Sequence, residues 1–97
     1  MEKKIYITTL SLTIIEPDEY LRLGTDEEEY NNIFPTEKDA IKKAKQLFEE
    51  YQVSKTKEVY SVVGVWAAVW LVVTNEQGAK TRKRIFNLYK NQETIQP

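Results

Sequence analysis

Glu58-Val59-Tyr60-Ser61-Val62-Val63-Gly64-Val65-Trp66-Ala67-Ala68-Val69-Trp70-Leu71-Val72-Val73-Thr74 is the stretch that decides how this chain folds. Nine of its seventeen residues are Val or Trp. β-Branched and aromatic side chains fit a pleated surface better than a helix, so the composition predicts a strand over residues 58–74. The apolar run at its centre, residues 62–73, is too short to cross a bilayer as a helix, which excludes a helical membrane span. Fully extended, residues 58–73 would reach about 53 Å, too far for a small domain to keep straight. The strand must therefore bend, and Gly64 is the natural place for a bulge.

Asn75-Glu76-Gln77-Gly78 follows directly and closes a hairpin. Gly78 suits the left-handed position of a type I turn with a bulge, and the returning strand runs over residues 79–89. In that register Asn75 pairs with Ala79, Trp70 stands opposite Arg84, Ala68 opposite Phe86 and Trp66 opposite Leu88. The other face of the hairpin then carries Val65, Val69, Leu71, Lys83, Ile85 and Tyr89. An even-numbered loop would slide the return strand by one residue and exchange its faces. The position of the glycine favours the bulged turn.

Upstream of the hairpin, Thr36 is an N-cap candidate with Asp39 at the capping-box position and Pro35 before it. Ala40, Ile41, Ala44, Leu47, Phe48 and Tyr51 recur at helical spacing and predict a helix over residues 37–51 with one apolar stripe. Lys38, Lys42, Lys45 and Glu49 form its solvated back. Further upstream, residues 4–15 alternate as a strand does. Tyr6, Leu10, Leu12 and Ile14 lie on one side, and Thr9, Ser11 and Thr13 on the other. Glu16-Pro17-Asp18-Glu19 reads as a turn, residues 19–23 as a short second strand, residues 24–35 as an acidic loop and residues 91–97 as a frayed tail. The fold class is α+β: a three- or four-stranded, mostly antiparallel sheet in the order β(β)αββ with one amphipathic helix packed on one face. Residues 1–97 form a single domain.

Composition narrows the chemistry. The 97 residues are 41% hydrophobic and 30% charged, with a net charge of −1, as in a soluble globular domain. There is no Cys and no His. A disulfide framework, a thiolate zinc site and a Ser-His-Asp triad are excluded outright, and a cytoplasmic location is expected. No signal-peptide pattern opens the chain. Gly24, Gly64 and Gly78 allow neither a P-loop nor a dinucleotide fingerprint. Glu16, Asp18 and Glu19 could serve a carboxylate hydrolase, yet an acidic surface loop explains them better, so no catalytic residue, metal ligand or cofactor is assigned.

Charge is unevenly shared. Residues 1–36 hold three bases against eight acids, a net of −5, while residues 37–97 sum to +4. Both faces of the 58–74 strand are apolar, whereas one helix can cover only one of them. Leaving Val65, Val69, Leu71, Ile85 and Tyr89 in water forfeits roughly 1.5–3 kcal/mol for each large aliphatic side chain. The N-terminal strand with residues 17–35, a second copy or a different protein could cover them, and the expected role is a non-catalytic protein-interaction module, an inhibitor or adaptor, that self-associates as a homodimer through this face. Asp26, Glu27, Glu28 and Glu29 are a second partner-binding candidate, as a phosphate-like row of negative charge. The alternative is single-stranded nucleic-acid binding through Arg82, Lys83 and Arg84 with the aromatics beside them. Protection of a sheet edge explains the same cations without any ligand and is the favoured reading of them.

Overall fold

The long apolar strand lies at the centre of an antiparallel sheet, flanked by the first strand on one side and the last on the other. The computed structural model describes residues 2–15, 23–26 and 32–92. In chain order these form β1 (Lys3–Ile15), β2 (Leu23–Asp26), β3 (Asn32–Phe34), α1 (Glu37–Glu50), β4 (Val62–Thr74) and β5 (Lys80–Asn91). The sheet order is β2-β1-β4-β5, and β3 pairs with β1 along the same edge as β2. The expected α+β class is the one observed.

Several expected boundaries move. The strand expected over residues 58–74 starts at Val62, because residues 58–61 form a turn in which Ser61 N–H donates to the Glu58 carbonyl and Tyr60 takes a φ of 68°. Of the strand expected over 19–23, only Leu23 falls within the described residues, where it opens β2. The stretch read as an acidic loop, 24–35, contains most of β2 and all of β3. β1 has an uncovered backbone edge there, and pairing satisfies it. Asn91 belongs to β5 rather than to a frayed tail. Gln92 donates from its amide to the carbonyl oxygens of Ser54 and Thr56, both at 2.8 Å, which ties the end of the strand down.

Thr36 caps α1 as its position predicts, accepting from Asp39 N–H at 3.3 Å. Ala40, Ala44 and Leu47 are buried on one stripe of the helix, against Leu10, Val65, Ala67 and Val69 of the sheet. Alanines at 40, 44 and 67, all fully buried, let helix and sheet backbones come close. Thr8, also fully buried, uses that proximity to donate from Oγ1 to the Ala40 carbonyl at 2.7 Å. The hairpin closes as its sequence predicts: Gly78 has a φ of 85°, and Asn75 N–H donates to the Ala79 carbonyl at 2.9 Å. Asn75 Oδ1 adds bonds from the N–H groups of Gln77 and Ala79.

Two bulges interrupt the ladders of the described strands. One interrupts the β1–β4 ladder next to Gly64, between Thr13–Gly64 and Ile14–Val62. The other corrects the hairpin register. Trp70 does pair with Arg84, but Ile85 is then left unpaired, so Ala68 faces Asn87 rather than Phe86 and Trp66 faces Tyr89 rather than Leu88. The cause is the apolar pattern of β5. Strict alternation from Arg84 would turn Phe86 and Leu88 to the side away from the helix, and one inserted residue turns them back under it.

Cα extents of 51 × 29 × 17 Å match a sheet with one helical layer, given a layer spacing of about 10 Å. The radius of gyration, 16.0 Å, exceeds the roughly 12.5 Å of a compact chain of this length.

Candidate functional site

Residues directly opposite one another in a ladder share a face, so the register assigns every strand residue to a side. Tyr6–Leu71, Thr8–Val69, Leu10–Ala67 and Leu12–Val65 lie beneath the helix. The opposite face carries the rows Ile5–Val72–Arg82, Ile7–Trp70–Arg84, Thr9–Ala68–Asn87, Ser11–Trp66–Tyr89 and Thr13–Gly64–Asn91. Ile33 extends the second row from β3, opposite Ile7.

This assignment overturns the expected docking residues. Val65 and Val69 are fully buried in the core under α1, and Ile85 packs against the same cluster. Leu71 shares their side of the sheet. Of the five, only Tyr89, 54% exposed, lies on the face away from the helix. The helix had to take one of two apolar faces, and it took the one whose neighbours on β1 are Leu10 and Leu12 rather than Thr9 and Ser11. Of the acidic candidates, Asp26 stands in β2 opposite Leu12. Glu27, Glu28 and Glu29 lie outside the described residues.

The open face is organised around two tryptophans. Four residues of extended strand span about 13 Å, yet the ring centroids of Trp66 and Trp70 are 6.4 Å apart, edge to face at 83°. The rings therefore converge on the face that carries Ala68, which is fully buried between them in the strand. Trp70 is fixed from two directions. Its indole N–H donates to Thr9 Oγ1 at 3.1 Å, and the Arg82 guanidinium lies 4.2 Å from the ring centroid. Arg84 lies 5.6 Å from the centroid of Trp66. Cation–π contacts at exposed sites contribute about 0.5–1 kcal/mol each, enough to orient a side chain but not to lock it.

The three expected cationic residues divide between the two sides. Arg82 and Arg84 stand on the tryptophan face, while Lys83, opposite Leu71, stands on the helix side. Lys3 and Lys80, opposite Thr74, add charge at the end of the tryptophan face. None of the residues in the rows of this face is acidic. Among the described residues, no cluster of Asp and Glu suited to a metal ion comes together, and no helix is long and apolar enough to cross a membrane.

The chain matches no protein-family model, no curated protein and no solved structure.

Proposed function

We propose that the protein is a non-catalytic binding module that holds single-stranded nucleic acid on the open face of its sheet. One observation carries this reading: Trp66, Trp70, Tyr89, Arg82 and Arg84 share one face whose described rows contain no carboxylate. Aromatic rings that receive bases and cations that receive phosphates are the two requirements of a sheet that binds single strands. An acidic chain can meet them locally, because screening over about 8–10 Å confines each charge to its own face. A cytoplasmic setting fits this reading.

A second copy or another protein docking on the same face is the second reading. Ile33, 57% exposed beside Ile7, extends the apolar surface and favours it. Two copies meeting face to face with β5 over β5 would bring their Arg82 and Arg84 side chains together, a like-charge juxtaposition that a polyanion avoids.

Titration of a fluorescent single-stranded oligonucleotide tests the first reading. Binding should weaken with salt, with a slope near −0.7 per phosphate contact, and should fall in an Arg82→Ala/Arg84→Ala double variant that keeps its circular dichroism. Absence of binding at low salt, together with a sedimenting mass above 11.4 kDa, would favour self-association instead.

A further inference from the structure

We propose that the ligand of this face is a pyrimidine-rich single strand, bound with its bases unstacked from one another; the inference rests on the nucleic-acid reading above. Its basis is the angle between the two platforms. Trp66 and Trp70 stand at 83°, and their centroids are 6.4 Å apart. Neighbouring stacked bases are parallel and about 3.4 Å apart. Two bases seated on these rings lie nearly perpendicular and cannot stack on each other. The ligand must give up its own stacking to gain stacking on the protein.

Trp70 cannot turn freely to relieve this mismatch, and Trp66 is oriented against it. The Trp70 indole is held by Thr9 Oγ1 and flanked by Arg82, and Arg84 lies by Trp66. Purine runs stack strongly and lose most when splayed, whereas pyrimidine runs stack weakly and have flexible backbones. A duplex, whose bases are locked parallel, cannot use the site at all. Phosphate charge is identical in pyrimidine and purine runs of equal length, so the discrimination between them arises from the bases.

Competition between oligo-dT, oligo-dA and a mixed duplex of equal length, about twelve nucleotides, decides the matter. Oligo-dT should bind about tenfold tighter than oligo-dA, since the purine run gives up more stacking between its own bases, and the duplex should not compete. Thr9→Val removes the acceptor that fixes Trp70 with little change of shape, and it should bring the dT to dA ratio towards unity. Equal affinity for oligo-dT and oligo-dA in the parent protein overturns the pyrimidine preference while leaving the nucleic-acid reading in place. A ratio unchanged in Thr9→Val overturns its basis in a fixed ring. Failure of every single strand to bind overturns both.

Discussion

The Lys90 ammonium donates to the Phe48 carbonyl oxygen at 2.6 Å and sits 4.4 Å from the centroid of the Phe48 ring. The last turn of α1 has no basic residue of its own. β5 thus supplies across the sheet the cation that a helix C-terminus favours. Lys90→Met keeps the aliphatic stem and removes the charge. It should lower stability by about 1–2 kcal/mol, read as a smaller urea midpoint at unchanged m-value. A midpoint equal to that of the parent would show that the contact contributes nothing.

Thr8 ties the other end of the helix. Its hydroxyl is fully buried and reaches the Ala40 carbonyl, which also belongs to the first turn of α1. Thr8→Val preserves the shape and deletes the donor. Since a typical internal hydrogen bond contributes about 1 kcal/mol net, a loss of that size is expected in chemical denaturation. A stabilised Thr8→Val protein would mean that burying the hydroxyl costs more than its bond returns.

Among the described residues two occupy left-handed backbone, and they call for opposite outcomes. Gly78, φ 85°, has open space around its Cα, so Gly78→Ala meets no clash and pays only for conformation. A loss of about 1 kcal/mol is expected. Tyr60, φ 68° and 68% exposed, bears that strain already. Tyr60→Gly should therefore raise the thermal midpoint or leave it level, and a clear fall would reveal a packing role for the ring.

Ala68 is fully buried midway along β4 between Trp66 and Trp70, on the face where their rings converge. Ala68→Leu would push Trp66 and Trp70 apart, and overfilling a packed site costs about 1–3 kcal/mol. The near-ultraviolet circular dichroism of the indole pair should change together with stability. An unchanged spectrum would mean that the rings do not meet over this residue in solution.

The sequence made the elements legible wherever local chemistry governs them: the Thr36 cap, the Gly78 turn and the β-branched run of β4. It also paired Trp70 with Arg84, because that pair lies close to the turn that sets the register. Beyond Arg84 the register depends on which face of β5 the helix covers, and no local signal announces the bulge at Ile85. The side taken by α1 was harder still, since β1 and β4 are both non-local partners. A usable signal did exist. Thr9, Ser11 and Thr13 on β1 and Arg82 and Arg84 on β5 are the wetter halves of their strands, and laying them on one side leaves Val65 and Val69 for the helix. Residues 24–35 misled because their acidity suggested a loop, while two short strands satisfy the β1 edge with backbone bonds that side-chain charge does not reveal.

Lys83 and Arg84 are neighbours in the chain, yet they stand on opposite sides of the sheet, facing Leu71 and Trp70 respectively. Sequence alone treats them as one basic patch, and the fold separates them. If nucleic acid binds the tryptophan face, Arg84→Ala should weaken it severalfold and reduce the salt slope by about 0.7, the loss of one phosphate contact to a single strand. Lys83→Ala, with the same change in net charge, should leave both the affinity at moderate salt and the slope close to those of the parent. Equal effects of the two substitutions would point to binding governed by net charge along the exposed β5 edge rather than by the face, and the tryptophan pair would then have no part in recognition.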